Sequence, residues 1–184
     1  MNFSEGAFAG PAHGAVAGAV FALLLTAACV SDLRTRRIPN QLVLVLLALG
    51  TLYSISAAPV LPGLGRALGG LAVGLALWFP FYLFGMLGAG DVKFFAAASS
   101  WLGITGALHA AFYSAVAGGA LALLWLALQG GLRTAAERVA LQVAHRQGLA
   151  LSERDAKLAK LPYGIAMALG LGLAAWLPRL LAAS

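Results

Sequence analysis

The chain has 184 residues, of which 61% are hydrophobic and 10% charged, at a mean hydropathy of +0.90. A soluble domain carries about 25% charged residues, so this chain cannot clothe a water-facing globule; it reads as an all-α, polytopic membrane bundle of about six helices. The formal net charge of +6 does not point to nucleic acid, because the basic residues stand in short stretches between apolar runs, the pattern that orients membrane helices.

In chain order, the N-terminal stretch lacks a basic region, and the apolar run after it ends in "SDLRTRR" rather than a small-residue cleavage site. This favours a retained first helix over a removed signal peptide. The first span is set at 14–31 and holds the single cysteine, Cys29. One cysteine excludes a disulfide framework or a cysteine zinc site within the chain, and Cys29 reads as a small packing residue. No metal or cofactor is expected. The basic loop "DLRTRRIPN" leads to a second span at 41–58, with Pro39 at the first position of that helix. "PVLPGLGR" then reads as a turn rich in proline and glycine, and the third span follows at 67–87. Pro80 lies inside it and removes one helical hydrogen bond.

After "GAGDVK" the chain stays apolar to about residue 129, too long for one span and tight for two. Splitting it at Gly103–Gly106 gives a short fourth segment, 92–103, and a fifth, 107–128. His109 falls in the latter and reads as a packing or interhelical hydrogen-bonding residue. Residues 130–161 form the one sizeable polar segment, with amphipathic character suited to a membrane surface, and the last span runs 162–181. The whole is one membrane-embedded domain, 1–184. All Lys and Arg except Arg66 and Arg179 fall in the first, third and fifth loops. That asymmetry places those loops in the cytoplasm and both termini outside.

Two acidic residues stand at span boundaries: Asp32 ends the first span and Asp91 follows the third. On this topology both lie at the cytoplasmic edge of the membrane, on different helices. Two carboxylates facing each other there cannot both ionise easily and share a proton. Such a pair can hold a water, deprotonate it with the ionised member and donate a proton from the other. Plainer accounts stand beside this one. Asp32 could pair with Arg36 one turn on, and Asp91 could cap the fourth helix. Intramembrane acids also mark proton relays, so a proton-coupled transporter using the same carboxylates is the alternative.

Three stretches carry a resemblance. "SDLRTRRIPNQL", an aspartate followed six residues later by Ile-Pro-Asn, resembles the first motif of type IV prepilin peptidases. "GAGDVK" is similar to their Gly-x-Gly-Asp motif with its following lysine, and "LPYGIAMALG" to the Pro-[Phe/Tyr]-Gly motif that opens their last span. The resemblance implies a membrane-embedded aspartic endopeptidase of the bacterial inner membrane, with its site at the cytoplasmic face. Such an enzyme cuts the short basic leader from prepilin or pseudopilin precursors. Asp32 and Asp91 would be the catalytic pair. Gly88 and Gly90 would give the backbone freedom around Asp91, and Lys93 would tune the charge of the pair or contact substrate. Asn40, Pro162, Tyr163 and Gly164 would support the site, Pro162 by starting the last helix. The implied partners are a precursor protein and membrane lipid, with no nucleic acid; oligomeric state is not fixed. Many family members carry a large cysteine-bearing insertion after the first span and also methylate the new N-terminus. Here only "LRTRR" separates Asp32 from Ile38, which resembles the small peptidase-only branch of tight-adherence (Tad/Flp) pilus systems.

Overall fold

A computed structural model describes residues 12–84, 87–128 and 163–182. The polar segment 130–161 and Pro162 lie outside the described residues. Every described element is helical: α1 (Ala12–Thr35), α2 (Asn40–Ser56), α3 (Val60–Leu83), α4 (Ala89–Leu128) and α5 (Tyr163–Ala182). The all-α expectation holds.

The prolines set the helix starts differently from the expectation. Pro39 is not the first helical residue but the cap before it, with ψ at 136°, and its carbonyl accepts the Val43 N–H at 3.3 Å. Pro59 caps α3 in the same extended conformation. The stretch expected as a turn, "PVLPGLGR", is therefore already helix from Val60 onward. Pro62 falls in the first turn, where N–H groups have no partner four residues back, so a missing donor costs nothing there.

α4 is broken. Gly103 has φ 73° and ψ −174° in the middle of it, at the start of the Gly103–Gly106 stretch. The neighbours of each half show what the break does. Along 89–102, α3 runs antiparallel: Arg66 lies on Gly103, Gly70 on Ser99, Gly74 on Ala96 and Ser99, and Trp78 packs edge-on to Phe95 with ring centroids 5.6 Å apart. Along 104–128 the neighbour is α5, with Gly170 against Ser114 and Gly118 against Ala166 and Tyr163. Asp91 and Asp32 interact electrostatically. Gly118 packs beside Tyr163, and the next residue, Gly164, touches Asp32. Asp91 and Gly118 therefore lie at the same end of the bundle, whereas a straight helix would hold them about 40 Å apart. The chain turns back at Gly103.

The first half of α4 is the central stave. Phe94 to Ala98, Ser99, Ser100, Trp101 and Leu102 are all buried, and a helix buried all round belongs to a core. Trp101 Nε1 donates to Leu46 O of α2 at 2.8 Å, which satisfies the one polar atom of that side chain. The half is about 21 Å long, short of the ~30 Å hydrocarbon layer, but its neighbours shield it from lipid. By length and composition, Gly14–Thr35 and Val60–Leu83 can each cross a membrane, and Ala89–Leu124 is long and apolar enough but folds back on itself at Gly103; Asn40–Ser56 and Tyr163–Leu177 are shorter apolar helices. Large apolar side chains such as Leu23, Leu44, Leu61 and Phe112 stand exposed around the outside, as lipid contact requires. The chain is a multi-pass helical membrane protein.

Candidate active site

Asp32 comes from the last turn of α1 and is only 7% exposed. Its backbone carbonyl accepts the N–H of Arg36 at 2.8 Å. Arg36 has φ 51°, the left-handed conformation that ends many helices and usually falls to glycine. Ser31 Oγ and Thr35 Oγ1 both donate to the Arg37 carbonyl, at 2.9 and 3.0 Å, so the loop is folded back on its own helix. Ile38, buried at the end of that loop, packs on the start of α4; a Cβ on Gly90 would lie 3.8 Å from its nitrogen. This contact carries the end of α1 to the end of α4 that bears Asp91.

Asp91 is half-buried and sits in the first turn of α4 rather than at its cap. Gly88 holds the cap position. The Asp91 N–H donates to Gly88 O at 3.1 Å, and the Asp91 carboxylate in turn receives the Gly88 N–H. An acid at the third helical position that accepts the N–H of the cap residue supplies one half of a capping box; glycine has no side chain to supply the other. The helix-end role foreseen for Asp91 is thus real in kind, and it leaves the carboxylate acting on Asp32 as well.

The third component is Gly164 in the first described turn of α5. Its N–H reaches the Asp32 carboxylate, and the start of a helix favours negative charge. A Cβ at Gly164 would stand 2.6 Å from Asp32 Oδ2. Oδ2 is buried and has no hydrogen-bond partner among the described residues. Arg36 acts on the Asp32 charge, but its own side chain is exposed, so it does not close the site.

The structure thus brings Asp32, Asp91, Gly88, Gly90 and Gly164 together. It treats the other expected residues differently. Lys93 is exposed; two residues apart on a helix do not share a face, so it does not stand beside Asp91. Asn40 is exposed at the start of α2. Tyr163 packs on Gly118. His109 is exposed, not packed between helices. The glycine reasoning also needs correction: neither Gly88 nor Gly90 has a positive φ, and Gly103 is the one described glycine that does. Gly88 matters for closeness, since a Cβ there would come within 3.2 Å of Asp91 Oδ2. Ser31 and Thr35 were missed, although two hydroxyl residues four apart around Asp32, at the end of an apolar run, are a readable sign of a pinned helix end.

Residues 19–123, more than half of the chain, match the type IV leader peptidase family. The chain belongs to that family. Within this family it is similar to the prepilin leader peptidase/N-methyltransferase of Xanthomonas campestris pv. campestris, 36% identical over 120 residues, which cover 60% of this chain and 40% of that one. It is also similar to the protein of the same name from Pectobacterium carotovorum subsp. carotovorum, 34% identical over 116 residues, 59% of this chain and 40% of that one. The chain thus matches well under half the length of these curated relatives. No solved structure matches it. The family match includes both aspartates and the glycines beside Asp91, while Gly164 lies beyond it.

Proposed function

We propose that this leader peptidase family member is a membrane-embedded aspartic endopeptidase. It removes the short basic leader from prepilin- or pseudopilin-like precursors at the cytoplasmic face of the bacterial inner membrane. The observation that carries this reading is the electrostatic interaction of Asp32 and Asp91, from separate helices, beside an Asp32 Oδ2 that is buried against Gly164 with no hydrogen-bond partner among the described residues. One aspartate is ionised and takes a proton from water; the water oxygen attacks the scissile carbonyl, and the other aspartate protonates the carbonyl oxygen. The tetrahedral adduct then collapses, the C–N bond breaks, and the leaving amine takes a proton from the pair. A precursor sets its apolar helix in the membrane and its basic leader in the cytoplasm, so its cleavage junction comes to the depth of the two aspartates. The five residues between Asp32 and Ile38 hold no cysteine, which supports a peptidase-only enzyme; the methyltransferase activity in the relatives' names is not carried over.

The test is cleavage of a co-reconstituted precursor in vesicles, read by mass spectrometry. Asp32→Asn and Asp91→Asn are each expected to reduce cleavage by about 10⁴-fold, because residues that act as a unit fail together. Near-normal cleavage by either variant would rule out the dyad. The rate should fall at both low and high pH, as the pair gains a second proton or loses its only one.

A further inference from the structure

The reversal of α4 leaves a helix end inside the bundle. The last four carbonyls of a helix have no partner within it, and away from water each unsatisfied one costs several kcal/mol. Two of those just before Gly103 receive donors from other helices. Ser54 Oγ of α2 donates to Ser100 O at 3.0 Å, and Arg66 Nη2 of α3 donates to Trp101 O at 3.4 Å. Ser54 is fully buried and Arg66 half-buried. The Arg66 stem also lies across the break: a Cβ on Gly103 would come 2.9 Å from its Cγ and 3.2 Å from its Nε. A cation at this place meets the negative end of the helix dipole. Charged residues inside apolar segments are rare and commonly pair with backbone carbonyls; Arg66 does so at the point where the backbone leaves the helical path inside α4.

We propose that Arg66 and Ser54 are positioning residues for peptide cleavage. By holding the end of residues 89–102, they fix the height and rotation of this half-helix. Asp91, about 18 Å away along its axis, then meets Asp32. The link to cleavage rests on the peptidase reading; the link to geometry does not.

The test therefore has two arms. Arg34 and Lys93 are both exposed and flank the two aspartates. Spin labels at Arg34→Cys and Lys93→Cys, in a Cys29→Ala background, should give one narrow distance. Arg66→Met is expected to broaden it, and Arg66→Lys to restore it. In the cleavage assay, Arg66→Met should lower kcat by about ten- to a hundredfold with KM unchanged, the scale expected for a small misplacement of a reacting group. Arg66→Lys should recover most of the loss. Ser54→Ala should change both readouts in the same direction by less, and it carries the test alone if Arg66→Met does not fold. An unchanged distance in the folded variant overturns the inference, as does a broadened distance with undiminished kcat or a rise in KM alone. A wild-type protein that cleaves no precursor, while its label distance still responds to Arg66, overturns the peptidase reading and leaves the geometric link standing.

Discussion

A methyl group at position 164 would stand 2.6 Å from Asp32 Oδ2 and 3.0 Å from its Cγ, closer than atoms approach unless something shifts. Asp32 has little room to retreat, being 7% exposed. Gly164→Ala is expected to lower kcat at least about tenfold and, as overpacking does, to lower the thermal midpoint measured by a melting assay in detergent. Gly88→Ala, whose new carbon would lie 3.2 Å from Asp91 Oδ2, should cost less. The sequence pointed to the neighbourhood of both glycines but not to their separate tasks. Tyr163 and Gly164 are adjacent in the motif, yet successive helical residues point about 100° apart, so one faces Gly118 and the other Asp32. Which is which depends on the rotation of α5, and that is set by packing. Arg36 shows another limit: its left-handed backbone gives no sign in a residue type that rarely adopts it.

Small residues govern how the helices meet. Gly70 and Gly74, one turn apart on α3, press on Ser99 and Ala96 of α4; with no hydrophobic force between helices in lipid, such close backbone approach supplies the dispersion contact. A Cβ on Gly74 would come 2.7 Å from Ser99 Oγ and 3.1 Å from the Ala96 Cα. Gly74→Ala should therefore destabilise by about 1–3 kcal/mol, the usual cost of overpacking, and lower the thermal midpoint. A Cβ on Gly65 of the same helix would meet nothing within 4 Å, so Gly65→Ala should melt no lower than wild type. The existence of these helices was readable from apolar runs alone. Their starts at Pro39 and Pro59 were not, since a proline suits both the cap and the first turn. The direction of 104–128 was not readable either; hydropathy records which residues meet lipid but not which way the chain runs. Arg66 offered a signal that went unused: a lone arginine among apolar residues asks which carbonyl it serves.

The proposed function makes one demand of the bundle: the ends of α1 and α3 and the start of α2 should face the cytoplasm. With Cys29→Ala as background, a membrane-impermeant thiol reagent should label Ala57→Cys in intact cells and Arg37→Cys only after the membrane is opened; both side chains are exposed. The opposite pattern would place the two aspartates on the outer face. The turned-back α4 also bears on how the protein is made. Its first half, about 21 Å long, is too short to be retained as a span of its own, so both halves must leave the translocon as a hairpin. Gly164 arrives only with α5, about 70 residues after Asp91. A nascent chain would thus carry both aspartates into the bilayer well before Gly164 could join them, so the site would stay incomplete until α5 has been made.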